Sequence, residues 1–317
     1  MISIICPVYN ESKFIDSIVE FFINSAPVLK ELIFIDGGSN DGSIEVIKYY
    51  ENKYKNIRLI NNPDKYVPYA LNLGIKNSTG EIIARIDAHC YYSPDYFEQI
   101  IQTFHSIDAD IVGGPTRIYP EEGFRTAVGF VMSHPFGIGN SKVHSSNYRG
   151  YVDHVTFGAW KKNIFQDIGF FDERLIRNQD DEFHYRAKSM GKKIYLNPDI
   201  KLWYIPRNSY SGFFQQYFQY GFYKPMVLRK IKSEIKFRHL VPSIFVIYIF
   251  LCILFAMFPL ILIPLFIYIS IIFSITLFTE HSLINKARIP LLFFIIHIAY
   301  GTGVICGLFK LNRSNKP

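Results

Sequence analysis

The chain has 317 residues, 49% of them hydrophobic, and a formal net charge of +7. Its mean hydropathy of +0.11 is high for a wholly soluble protein, and its length allows one large domain with an appendage or two modest ones. No nucleic-acid recognition motif accompanies the charge, and Cys6, Cys90, Cys252 and Cys306 have neither zinc spacing nor a disulfide pattern, which sets aside a nucleic-acid partner and a disulfide-stapled scaffold.

The opening MISIICPVYNE has no basic segment ahead of its short apolar run and does not read as a secretory signal. The soluble part is therefore expected to stay in the cytoplasm. Ile2 to Cys6, Glu31 to Asp36, Ile57 to Asn61 and Glu81 to Asp87 read as strands, and Lys13 to Asn24, Ser43 to Tyr54 and Tyr69 to Lys76 carry helical spacing. A further helix is expected to start near Ser93, a cap residue followed by Pro94 and Asp95. Asp110 to Gly114 closes the alternating part. Strands alternating with helices imply an α/β, Rossmann-like domain with a mostly parallel sheet and ligands at the carboxyl ends of its strands.

Those ends are polar. The first strand runs into Pro7-Val8-Tyr9-Asn10-Glu11, the second into Asp36-Gly37-Gly38-Ser39-Asn40-Asp41-Gly42, the fourth into Asp87-Ala88-His89. Each alone is ordinary, but all three converge on one sheet edge. The glycine fingerprints of dinucleotide and P-loop sites are absent, so a bound nucleotide needs other contacts. Asp36 could accept from a base N–H or ribose hydroxyl, Tyr9 could lie against the base, and Asp87 with His89 could hold the cation that a diphosphate requires.

Tyr119 to Tyr151, rich in Gly, Ser, His and aromatics, lacks periodicity and reads as a loop; His134, His144 and His154 in or beside it have no metal-ligand spacing. Gly158-Ala159-Trp160 and Gly169-Phe170-Phe171-Asp172-Glu173 follow. Asn178-Gln179-Asp180-Asp181-Glu182-Phe183-His184-Tyr185-Arg186 then opens a helix that Gly191 ends. Three acids at a helix start complement its dipole, and Glu182 and Arg186 form an i,i+4 pair. A carboxylate beside free N–H groups also stays ionised, as a general base must.

Asn208 to Lys224 is aromatic with scattered polar residues and suits a bilayer interface, a core helix being the competing reading. Lys224, Arg229, Lys230, Lys232, Lys236 and Arg238 then outweigh a lone acid, Glu234, and mark a cytoplasmic flank. Leu240 to Phe278 is free of charge and long enough for two crossings, with a turn near Pro259 or Pro264; Ile289 to Phe309 is long enough for one. Three crossings would put Lys310, Arg313 and Lys316 on the far side, against the positive-inside tendency.

PVYNE, DGGSNDG, NPDKYVPYALNLGI (from Asn62), ARIDAH (from Ala84), GAW, GFFDE, NQDDEFHYR and QYFQYGFYK (from Gln216), in that order, resemble the family 2 glycosyltransferases with the GT-A fold, in particular bacterial exopolysaccharide enzymes of the succinoglycan type. The resemblance covers nearly the whole chain. It implies a GT-A domain at 1–207, an interfacial segment and basic linker at 208–239, a transmembrane region of two or three spans at 240–309 and a tail at 310–317. By the same resemblance Pro7, Tyr9, Glu11 and Asp36 hold the nucleoside, Arg85 lies near the phosphates, Asp87 coordinates a divalent cation (Mn or Mg) and Asp180 is the catalytic base. Two positions depart from the family pattern. The usual Asp-x-Asp metal motif ends in His89, and Gln179 replaces a Glu, which should lower the pKa of the base slightly.

The expected activity is metal-dependent transfer, with inversion, from a nucleotide sugar (a UDP-sugar on family grounds) to a hydroxyl of a lipid-linked saccharide, in exopolysaccharide synthesis at the plasma membrane. A polyprenyl-phosphate glycosyl synthase is the enzymatic rival, but its phosphate acceptor needs no base. A non-catalytic membrane scaffold with a degenerate transferase domain would explain His89 and Gln179, while intact Asp36, Asp87 and Asp180 weigh against it.

Overall fold

A computed structural model describes residues 1–139, 142–232, 235, 237–255 and 258–314. Of the charges weighed above, Glu234, Lys236 and Lys316 lie outside the described residues. The strands are β1 Ile2–Val8, β2 Lys30–Asp36, β3 Ile57–Asn61, β4 Ile82–Arg85, β5 Cys90–Tyr92, β6 Ile111–Gly113, β7 Thr116–Ile118, β8 Gly150–Tyr151, β9 Ala159–Lys161, β10 Ile194–Leu196 and β11 Leu202–Tyr204. The first helices are α1 Ser12–Asn24, α2 Ser43–Lys53, α3 Val67–Asn77, α4 Tyr96–Ser106, α5 Phe124–Ser133 and α6 Pro135–Ile138. They are followed by α7 Ile164–Ile168, α8 Gln179–Ser189, α9 Tyr210–Lys230, α10 Val241–Leu254, α11 Ile263–Leu277 and α12 Leu283–Ser314.

The chain divides into two units. Met1–Arg117 with Lys142–Tyr204 forms the first, and Ile118–Ser141 with Ile205–Pro317 the second. In the first, an eight-stranded sheet has the order β3-β2-β1-β4-β9-β6-β10-β8, beside a small sheet β5-β11-β7. β1 runs parallel to β2 with Val8 opposite Asp36, and parallel to β4 with Ile5 opposite Arg85. The polar ends of β1, β2 and β4 therefore share one edge. The seven residues of β2 are all buried, as expected where helices cover both faces. One core holds Ile15, Phe22 and Ile47 of α1 and α2 with Tyr96 and Phe97 of α4; the other holds Leu71 of α3, Phe165 of α7 and Phe183 and Ala187 of α8.

Two local expectations change, and one strand was not expected. The helix expected at Ser93 begins at Tyr96 with Asp95 as its cap. Ser93 is diverted into a turn: its N–H donates to the carbonyl of Lys201 and its own carbonyl accepts from Tyr96 N–H. Ala159-Trp160-Lys161 is an interior strand, antiparallel to both β4 and β6. Tyr119 to Tyr151 is not a loop throughout, because it contains α5, which buries Ala127, Val128, Val131 and Met132.

In the second unit α5, α9, α10 and α11 pack on α12. α9 and α12 approach backbone to backbone. A Cβ on Gly303 or Gly307 would meet the carbonyl oxygen of Phe218 or Phe222, and one on Gly221 the carbonyl of Tyr300, the close approach that small residues permit between membrane helices. The aromatic segment thus buries Phe213, Tyr217, Gly221 and Val227 along one helix face. His297 of α12 contacts the Tyr268 hydroxyl through Nδ1 (2.9 Å) and the Phe136 carbonyl through Nε2 (2.9 Å), joining α12, α11 and α6.

The described helices of the charge-free run from Leu240 differ in length. α10 has 14 residues, about 21 Å of helix against the roughly 30 Å of a bilayer core. Pro259–Leu277 and Leu283–Lys310 are long and apolar enough to cross a membrane by length and composition.

Candidate active site

The loops after β1 and β2 are tied together. Asn10 N–H donates to Ser39 Oγ (2.8 Å), Glu11 N–H to Ser43 Oγ (2.9 Å), Ser12 N–H to Asp41 (3.0 Å), and Asn40 N–H to Asn10 Oδ1 (2.9 Å). Asp36, 1% exposed, accepts from Gly38 and Ser39 N–H at 2.8 and 2.9 Å and from Ser39 Oγ–H at 2.5 Å. The carboxylate expected to meet the nucleoside thus also shapes its own loop, and Oδ1, which among the described residues accepts only from Ser39 Oγ–H, keeps a second lone pair. Gly37 is required here by contact, since a Cβ would come within 2.8 Å of the Lys65 carbonyl. Tyr9 stands 51% exposed beside this loop pair, and Pro7 is half-buried in β1 opposite Ile35.

The end of β4 carries the charge. Arg85 is 5% exposed. It donates from Nε and Nη2 to the two oxygens of Asp87 (2.9 and 3.1 Å) and from Nη1 to both oxygens of Asp180 (3.1 and 3.0 Å). Its guanidinium lies over the ring of Phe157, 5.1 Å from the centroid, and Phe157 holds a left-handed φ of 47°. Burial opposes the charge of Arg85, but Asp87 and Asp180 outweigh it and hold the guanidinium protonated beyond its ordinary range. The arginine expected near phosphates binds two carboxylates, one two residues away at Asp87 and one 95 residues away at Asp180.

Asp180 is placed by the packing of α8. Phe183 is fully buried, stacked on Phe171 at 4.4 Å and edge-on to Trp160. Asn72 of α3 fixes the Phe171 turn by accepting from Phe171 N–H and donating to the Phe171 carbonyl, each at 3.0 Å. Asp180, three residues before Phe183, shares its side of the helix and reaches Arg85, whereas Asp181 is rotated away and half-buried. Glu182 pairs with Arg186 at 3.1 Å, as their spacing implied. Burial raises the carboxyl of Asp180 above its ordinary range; Arg85 pulls it down, while Asp87 and Asp181 push it up again.

His89 reaches the segment after β1: its Nδ1 meets Glu11 Oε1 at 2.9 Å. Among the described residues no group of three or more His, Cys, Asp or Glu is arranged to enclose a metal. A cation shared with a diphosphate needs only one or two protein ligands, and Asp87 with His89 nearby in sequence fits that kind of site. Each Asp87 oxygen meets one N–H of Arg85 and retains a second lone pair.

The sequence reading missed His184. One turn after Asp180, it is 1% exposed and neither ring nitrogen has a hydrogen-bond partner. Burial drives its pKa down to about 3, helped by His154 and Arg85 and opposed by Asp181. Its i+4 spacing from Asp180 was the available signal.

The profile of the family described as Glycosyl transferase family 2 matches residues 3–169, more than half of the chain. The chain is 29% identical, over 99% of both proteins, to the dolichyl N-acetyl-α-D-glucosaminyl phosphate 3-β-D-2,3-diacetamido-2,3-dideoxy-β-D-glucuronosyltransferase of Methanococcus voltae. It is 27% identical to the succinoglycan biosynthesis protein ExoA of Rhizobium meliloti, over 69% of this chain and 67% of that protein. Among solved structures, the mannosyltransferase PcManGT of Pyrobaculum calidifontis, in complex with GDP-Man and Mn2+, superposes with a TM-score of 0.59 over 99% of this chain and 88% of its own. TarS 1-349 of S. aureus with UDP-GlcNAc gives 0.53 over 98% and 92%. Both are 14% identical to this chain and bear on the fold alone.

Proposed function

The chain belongs to glycosyl transferase family 2, enzymes that use nucleotide sugars, and from that premise we propose that it transfers a sugar with inversion onto a hydroxyl of a lipid-linked saccharide. The observation that carries this reading is the bridge through Arg85, which joins Asp87 at the end of β4 to Asp180 at the start of α8. A donor-side carboxylate and a base candidate are thereby next to one another at the carboxyl edge of the sheet.

In the proposed reaction Asp180 takes the proton of the acceptor hydroxyl as that oxygen bonds to the anomeric carbon, and the bond from that carbon to the nucleoside diphosphate breaks. Pro7, Tyr9, Glu11 and Asp36 line the nucleoside side, a UDP-sugar being the expected donor. Asp87 with His89 would hold a divalent cation, which when bound offsets charge on the diphosphate. The name of the Methanococcus relative describes a dolichyl-phosphate-linked sugar as acceptor, and that of ExoA a role in succinoglycan synthesis; both support a lipid-linked acceptor and a place in surface-glycan assembly. The apolar segments Pro259–Leu277 and Leu283–Lys310 support attachment to the membrane, with the catalytic residues on the cytoplasmic side.

The test separates two adjacent acids. Consecutive helical side chains point about 100° apart, so Asp180 and Asp181 cannot share one task. Asp180→Asn should lower turnover by roughly 10²- to 10⁴-fold, with nucleotide affinity nearly unchanged, and Asp181→Asn should do far less. Turnover at saturating donor and acceptor, with nucleotide titration of each variant, decides the matter. A dead Asp181→Asn beside an active Asp180→Asn would reverse the assignment, and two active variants would reduce the acidic run to a helix-start feature.

A further inference from the structure

We propose that Arg85 is a positioning residue that locks the carboxylate of Asp180 to that of Asp87, so that the base is aligned from the donor side of the site; the proposal rests on the base assignment above. The guanidinium is held on every side the structure describes. Its edges face four carboxylate oxygens at 2.9 to 3.1 Å and its face lies over Phe157. The backbone behind it is pinned by Arg85 N–H donating to the Gly158 carbonyl at 3.2 Å.

A planar fork can hold two carboxylates in a fixed mutual orientation; a point charge cannot. The carboxylate of Asp180 would otherwise be free to rotate about its side-chain torsions, since its hydrogen bonds come from Arg85 Nη1 and it retains 29% exposure. Orientation matters because a general base must present an oxygen at hydrogen-bond distance from the hydroxyl it deprotonates. Misplacement by as little as about 1 Å can lower a rate about 10²-fold. A phosphate ligand would leave its N–H groups facing the donor cleft. Here both edges of Arg85 are given to protein carboxylates.

The two roles predict different kinetics. With Arg85→Gln, a positioning role lowers turnover about 10²-fold at saturating donor and acceptor, while affinities for UDP and GDP, measured by calorimetry on the full chain in detergent, stay within about threefold of those of the parent. A phosphate-binding role does the reverse: nucleotide affinity falls tenfold or more and saturated turnover is retained, which would overturn the proposal.

Arg85→Lys keeps the charge without the fork and covers the case in which Arg85→Gln fails to fold. It should bind nucleotide normally and still turn over slowly, and parental turnover in Arg85→Lys would overturn the bridge. Asp180→Asn keeps the base assignment separate. If that variant is active, the base reading fails. If it is inactive, Arg85→Gln combined with Asp180→Asn should be no slower than Asp180→Asn alone, because the arginine acts only through the base. A further multiplicative loss in the double variant would overturn the proposal.

Discussion

His184 offers a test that needs no substrate. Its pKa is lowered from 6.5 to about 3 in the folded chain, chiefly by burial. In the unfolded chain it binds a proton below about pH 6.5, while in the folded chain it does so only near 3. The unfolded state therefore holds more protons across that window, and stability must rise with pH from about 3 to 6.5 and level off above. Each pKa unit is worth about 1.4 kcal/mol, so between pH 7.5 and pH 4.5 the residue alone should remove ~3 kcal/mol. His184→Phe retains an aromatic ring, does not titrate, and removes two buried nitrogens that have no partner. The assay is thermal unfolding of the full chain in detergent at both pH values, for parent and variant. Other carboxylates titrate in the same range, so the quantity to read is the difference between the two pH responses. About 3 kcal/mol corresponds to roughly 6–12 °C for a domain of this size, so the parent should lose that much more than His184→Phe on acidification. Parallel pH responses would refute the claim that the imidazole is held neutral by its surroundings.

The cation is tested by chelation. EDTA should abolish turnover, and UDP affinity should fall when the ion is withheld, because the diphosphate would then lie against Asp87 uncompensated. His89→Asp should deepen the dependence, since it replaces the partner of Glu11 with a like charge, and should favour harder ions such as magnesium. Full turnover in EDTA would remove the cation from the reading. In the second unit, Gly303→Leu must displace the carbonyl of Phe218 and should destabilise the α9–α12 pair by about 1–3 kcal/mol or more, read as a lower Tm in detergent. Cys306→Leu, at an exposed position on the same helix, is the control and should leave Tm unchanged.

What could be read from the sequence follows from where each signal resides. β1, β2 and β4 are short apolar runs punctuated by polar residues, and their parallel pairing carries Tyr9, Asp36 and Asp87 to one edge whatever the side chains do next. That placement was legible. α5 was not, because its apolar face answers to α12, some 150 residues later, and the Gly, Ser and His content of the segment around it masks the helical period. β9 was missed for a related reason. Three residues cannot show alternation, and Ala159 and Trp160 are buried from both sides by β4 and β6.

The site divides in the same way. Asp180 could be singled out because Phe183 and Arg186 fix its helical register within one segment. The engagement of Arg85 could not, because a strand-end arginine beside a nucleotide site suggests phosphate until the chain folds and α8 presents Asp180 to it. Asp36 shows a related limit. Its type and position suit a nucleoside contact, but its second task was not legible: it also accepts from the N–H groups of Gly38 and Ser39, the nearest donors in a DGGS sequence. A carboxylate followed closely by small, turn-forming residues should therefore be tested against its own loop before a ligand is assigned to it. By that criterion Asp87, followed by Ala88 and His89 and held by an arginine two residues before it, is the stronger candidate for contact with the donor.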